Sequence, residues 1–78
     1  MARVNIRTLV GGNVRRLRSA AGLTQETLAE KTGLSSVYIS EIERGRRNPS
    51  ILVMADIAHA LGADVRELLN TEPPDVST

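Results

Sequence analysis

The chain has 78 residues, with ten Lys or Arg against nine Asp or Glu and a formal net charge of +1. A domain of this size buries only about 60% of its unfolded surface, so stability depends on close helix packing or on a partner copy. The absence of cysteine excludes disulfides and thiolate metal sites, and no run approaches the roughly 18 apolar residues of a membrane helix.

The elements follow in chain order. Leu9, Val10, Val14 and Leu17 recur at helical spacing and form one apolar stripe. Gly22 stops this first helix through a left-handed cap. Arg15 and Arg16 lie outside the stripe, on a solvated or phosphate-facing side. Thr24 is placed to cap a second helix, without a full capping box because Thr27 stands three residues on. Leu28 and Ala29 face inward, and Gly33 ends the segment. A third helix starts at Ser35 or Ser36, turns Ile39 and Ile42 inward, and stops near Gly45. Arg46 to Pro49 reads as a loop, since Asn before Pro disfavours helix. Ser50 caps a fourth helix with Ile51, Met54, Ile57, Ala58 and Leu61 as its core stripe, ended by Gly62. Asp64 caps a short fifth helix carrying Val65, Leu68 and Leu69. Residues 71–78, with Pro73-Pro74, have no apolar pattern and are expected to form a flexible, frayed tail. No strand pattern and no internal repeat occur. The expected fold is all-α: a compact five-helix domain over residues 1–70.

Charge is unevenly spread along these elements. Residues 1–22 carry Arg3, Arg7, Arg15, Arg16 and Arg18 and no acid, and Arg44, Arg46 and Arg47 cluster after the third helix. Residues 51–78 carry Arg66 alone against Asp56, Asp64, Glu67, Glu72 and Asp75. A basic front and an acidic back suit a polyanion-binding face opposite a solvated or partner face, although ordinary helix-surface charge gives the same composition. Lys31 is the single lysine. The planar arginine fork suits phosphates and guanine edges better than a lysine point charge. An enzyme is not expected. His59 stands alone and reads as a solvated surface residue, the acids form no acid/base pair, and Gly11-Gly12 is not a nucleotide motif. No cofactor and no metal are implied.

The second and third helices flank the turn at Gly33, within the run QETLAEKTGLSSVYISEIER from Gln25 to Arg44. Ala29 sits where the two helices cross, and Gly33 takes a positive φ at little cost. Ile39 and Ile42 hold the back of the third helix to the domain. Its outward face is then Ser36, Val37, Ser40, Glu41 and Arg44, small and polar enough to enter a major groove.

The run resembles the lambda-repressor-like, Xre-type helix-turn-helix family. The matching residues are Leu17-Arg18, Gly22-Leu23-Thr24-Gln25, Leu28-Ala29, Gly33-Leu34, Tyr38-Ile39-Ser40, Ile42-Glu43-Arg44-Gly45 and Arg47-Asn48-Pro49-Ser50. They span about residues 6–70. The form around Tyr38 to Ser50 is similar to restriction-modification controller proteins, and many other Xre regulators share it. The resemblance implies a transcriptional regulator that binds double-stranded DNA. Ser35, Ser36, Val37 and Glu41 match its base-reading positions. Gln25, Tyr38, Ser40, Arg44, Arg46, Arg47 and Asn48 match positions beside the DNA backbone. Arg18 and Glu43 match a structural ion pair between the first and third helices.

One such reader covers too few base pairs for genomic specificity, so a homodimer on a roughly palindromic operator is expected. Leu52, Val53, Val65, Leu68 and Leu69, on the fourth and fifth helices, are the expected dimer surface. An activating regulator would add RNA polymerase as a partner. The second reading is an antitoxin-type module that binds a protein partner and autoregulates its operon; a tail of residues 71–78 leaves little room for a dedicated toxin-binding segment. No membrane partner is implied, no signal peptide is legible, and a cytoplasmic location is expected.

Overall fold

Asn5 opens the first helix. Its side chain accepts a hydrogen bond from the Thr8 backbone N–H, one of the donors that every helix start leaves unpaired. The computed structural model describes residues 5–71. Within them α1 is Ile6–Ala20, α2 is Gln25–Thr32, α3 is Ser36–Glu43 and α4 is Ile51–Leu61, followed by a 3-10 helix at Val65–Leu69. Among the described residues there is no strand, and no helix is long and apolar enough to cross a membrane. Apart from Thr71, the expected tail lies outside the described residues, as does Arg3.

The hydroxyl residues expected as caps perform that role. Thr24, Ser35 and Ser50 accept from the backbone N–H groups of Thr27, Tyr38 and Val53. Caps of this kind contribute about 1 kcal/mol each. The Thr24 and Thr27 hydroxyls also pair with each other at 2.9 Å. At Asp64 the cap is a complete box, with the Glu67 side chain returning a bond to the Asp64 backbone N–H.

The fifth element corrects the sequence expectation. Among the described residues there are four α-helices, and Val65–Leu69 is a 3-10 helix. Five residues are too few for an i to i+4 ladder to offset the cost of nucleation. The segment instead closes shorter rings, from Glu67 N–H to the Asp64 carbonyl and from Asn70 N–H to the Glu67 carbonyl.

Val10 and Val14 of α1, Leu28 and Ala29 of α2, Ile39 and Ile42 of α3, Met54, Ile57 and Ala58 of α4, and Leu68 form one buried cluster. Helix α3 packs on α1 and α2, and the 3-10 helix packs on α1 and α4. Two expectations change here. Ile51, assigned to the α4 stripe, is 63% exposed. It opens the helix, and the buried residue at that end is Pro49, two positions earlier. Leu68, assigned to the dimer surface, is fully buried, because the 3-10 turn points it into the groove between α1 and α4.

Two α1 residues set how closely the elements approach. A Cβ on Gly11 would collide with the backbone carbonyls of Ile42 and Glu43, so only glycine lets α3 lie this near α1. Asn13 is buried, and its side-chain N–H groups donate to the Leu68 carbonyl at 2.9 Å and the Asn70 carbonyl at 3.0 Å. These bonds satisfy carbonyls that the short helix leaves open and fix its end to α1.

Candidate nucleic-acid interface

The path from α2 to α3 is fixed by local chemistry. Gly33 caps α2 in the left-handed region at φ 76°, a conformation that costs a Cβ-bearing residue extra energy. The Thr32 hydroxyl donates to the Leu28 carbonyl at 2.9 Å and accepts from the Leu34 N–H at 3.3 Å, closing the turn from inside. Ser35 then starts α3 as its N-cap, which occupies its hydroxyl oxygen with the Tyr38 N–H at 3.0 Å.

Helix α3 is sharply divided. Ile39 and Ile42 are fully buried, while Val37 on the opposite side is 66% exposed. Ser36, Ser40 and Glu41 are half-buried beside it. Gln25, Ser36, Val37, Ser40, Glu41 and Arg44 line one shallow, open cleft together with Arg46. A second cleft is lined by Arg15, Arg18, Gln25, Ser40, Glu43 and Arg44. The two share Gln25, Ser40 and Arg44. The fold thus joins three separate stretches of chain into one surface: the end of α1, the start of α2 and the outer side of α3.

Beneath that surface lies a charged network. Glu43, whose side chain is 4% exposed, accepts from Arg18 Nε at 2.6 Å and Arg18 Nη2 at 3.0 Å. It also accepts from Gln25 Nε2 at 3.0 Å. Arg18 Nη1 donates to the Leu23 carbonyl at 2.8 Å. The bidentate bond to Glu43 holds the Arg18 guanidinium above its ordinary pKa, overcoming the opposing effect of burial. One carboxylate therefore ties α1, α2 and α3 together, and it orients Gln25 at the first turn of α2.

The remaining candidates are distributed around the clefts. Arg47 turns back along α3: its Nε donates to Glu41 Oε1 at 2.7 Å, and its Cζ lies 5.6 Å from the centroid of the Tyr38 ring. Tyr38 also packs against the core. Asn48 is exposed in the loop before α4 and lines neither cleft. The two arginines left together on α1 by the sequence separate. Arg15 lines the cleft at Gln25, whereas Arg16 is half-buried, with Nη2 3.5 Å from Asn13 Oδ1. Among the described residues no cluster of His, Cys, Asp or Glu is arranged to hold a metal ion.

Gly11 and Asn13 are absent from the sequence-derived site, yet they set the position of α3 and of the 3-10 helix. The signal was available in part. Asn is a poor helix former, and Asn13 falls mid-helix between Gly11 and Val14, at a position on the buried side.

This arrangement matches known proteins over most of its length. A profile of the HTH_3 helix-turn-helix family matches residues 14–68. The chain is 46% identical over 66 residues to the uncharacterized HTH-type transcriptional regulator y4dJ of Sinorhizobium fredii, spanning 85% of this chain and 86% of that protein. The restriction-modification controller protein C.AhdI from Aeromonas hydrophila has a similar crystal structure, with a TM-score of 0.77 and 44% identity over 80% of this chain and 90% of that one. SinR, solved in complex with DNA, is similar with a TM-score of 0.74 and 34% identity over 78% of this chain and 98% of that one. With its buried Ile39 and Ile42, its left-handed turn at Gly33 and its exposed α3 face, the chain belongs to the helix-turn-helix family of transcriptional regulators.

Proposed function

We propose that the chain regulates transcription by binding a roughly palindromic DNA operator as a homodimer, with α3 in the major groove. The observation that carries this reading is the division of α3, where two fully buried isoleucines back an exposed face of small residues at the arginine-lined cleft. Ser36 offers a hydroxyl to a base edge, and Val37 suits a thymine methyl group. Glu41 orients a neighbouring arginine, accepting from Arg47 Nε. Ser35 retains its hydroxyl proton for donation, its oxygen being engaged as the α3 cap. Gln25, Arg44 and Arg46 bind phosphates, helped by the N-terminal dipole of α2 at Gln25. Tyr38, Ser40 and Asn48 complete the backbone contacts, whereas Arg47, matched to such a position by the resemblance, is bonded to Glu41 instead. The relatives' description as regulators supports binding, not catalysis, as the activity, and a DNA partner supports a cytoplasmic location. A role in activation brings RNA polymerase as a further partner.

The dimer rests on three of the apolar residues that the single chain leaves uncovered: Ile51 and Leu52 at the start of α4, and Leu69 at the end of the 3-10 helix. Two copies related by a two-fold axis present α3 to successive major grooves about 34 Å apart. Selection of bound sequences from a random duplex pool tests the proposal. The expected product is an inverted repeat with half-site centres about 10–10.5 base pairs apart, or a multiple of that spacing. Enrichment of a single asymmetric site would remove the dimer from the proposal, and no enrichment at all would remove sequence-specific binding.

A further inference from the structure

Three exposed arginines, Arg44, Arg46 and Arg47, follow α3. Among the described residues the ion pairs are Arg18–Glu43, Arg47–Glu41 and Arg66–Asp64. Arg44 and Arg46 enter none of these pairs. Arg47 differs from both. Its Nε is bonded to Glu41 at 2.7 Å, with the two side chains 54% and 34% exposed, and its guanidinium lies near the Tyr38 ring. Glu41 belongs to α3 and lines the cleft with Ser36 and Val37. A carboxylate is thus set on the very surface proposed to approach a polyanion, and it holds Arg47 of the following loop.

We infer that Glu41 determines specificity by withholding Arg47 from DNA phosphates. A phosphate contact made by arginine strengthens binding to every duplex and carries no sequence information. Neutralised by Glu41 and kept near Tyr38, Arg47 contributes little to that general attraction. Binding then depends more on the α3 side chains, whose contacts do distinguish sequences. The bare Glu41 carboxylate would repel the phosphates, and Arg47 cancels that repulsion in turn, so the pair approaches DNA with almost no net charge. The effect is modest, because an exposed ion pair in water is weak. This inference rests on the proposed DNA-binding reading and goes beyond it in giving Glu41 and Arg47 one joint role.

A double-mutant cycle on the full chain tests it, using Glu41→Gln, Arg47→Gln and the double variant. Each protein is titrated against its selected operator and against random-sequence duplex over a range of salt concentrations. In Glu41→Gln the freed Arg47 is expected to raise affinity for random duplex about three- to fivefold and to steepen the salt slope by about 0.9. The operator-to-random ratio falls accordingly. Arg47→Gln alone is expected to lower affinity for random duplex, because it bares the Glu41 carboxylate to the phosphates, with little change in the salt slope because no phosphate contact is lost. The decisive arm is Glu41→Gln in the Arg47→Gln background, where affinity returns towards the wild-type value but the salt slope does not steepen, because no arginine is freed. If the slope steepens there as it does in the wild-type background, Glu41 acts only through overall charge and the inference is overturned. It is equally overturned if Glu41→Gln alters base preference with the salt slope unchanged, which would make Glu41 a direct reader. Circular dichroism of each variant confirms that the chain remains folded. Should the wild-type chain bind no duplex at all, the DNA-binding reading itself fails, an outcome distinct from a failed cycle.

Discussion

Glu43 accepts from three donors on two elements, Arg18 Nε and Nη2 from α1 and Gln25 Nε2 from α2. Its 4% exposed side chain makes it dependent on those partners, because a buried carboxylate without them bears the full cost of desolvation. Arg18→Ala is therefore expected to cost about 3–5 kcal/mol, read as a lower urea midpoint at unchanged m-value. Replacing both residues together, as Arg18→Met with Glu43→Leu, should recover much of that loss by leaving no unpaired charge. Equal losses in the single and double variants would show that the attraction within the pair, and not desolvation, dominates. Asn13 follows the same logic in neutral form: its two donated bonds to the Leu68 and Asn70 carbonyls hold the 3-10 helix. The sequence pairs Arg18 with Glu43 only through the resemblance, and Asn13 not at all, since its acceptors lie more than fifty residues along the chain.

At the scale of elements, α1 and α3 meet through backbone. The adjacent glycines of α1 make opposite predictions. A methyl at Gly11 would meet the Ile42 and Glu43 carbonyls, whereas one at Gly12 has open space. Gly11→Ala is expected to destabilise by about 1–3 kcal/mol through overpacking, and to weaken operator binding further by displacing α3. Gly12→Ala is expected to stabilise by about 0.5–1 kcal/mol, the ordinary gain of alanine within a helix. Thermal melts of the two variants compare them directly; a stable Gly11→Ala would mean that α1 and α3 separate easily. Helix starts at Thr24, Ser35, Ser50 and Asp64 were legible from the sequence, because an N-cap is satisfied within three residues. The 3-10 character of Val65–Leu69 was not, since it depends on Leu68 turning inward and on Asn13 holding the end.

The molecule as a whole keeps a basic, cleft-bearing side around Arg15, Arg44 and Arg46 and leaves large apolar residues uncovered elsewhere. Leu52 is 75% exposed and Leu69 is 43% exposed. Leu52→Asp is expected to shift the protein to monomer in analytical ultracentrifugation without lowering the stability of the isolated chain by more than about 0.5 kcal/mol, as usual for a surface position. It should also abolish cooperative filling of two half-sites while leaving single half-site binding. An unchanged sedimentation coefficient would move the proposed dimer contact away from α4.

The sequence alone determined the helix order, the caps, the turn at Gly33 and the inward stripe of α3, because each depends on spacing within a few residues. It also carried the family, through motifs distributed from Leu17 to Ser50. The tertiary structure decided which polar groups meet across long separations: Glu43 with Arg18 and Gln25, Asn13 with the 3-10 helix, and Glu41 with Arg47. It also decided that Leu68 belongs to the core and Ile51 to the surface. Apolar periodicity assigns a face to a residue, but only the neighbouring elements determine whether anything covers that face.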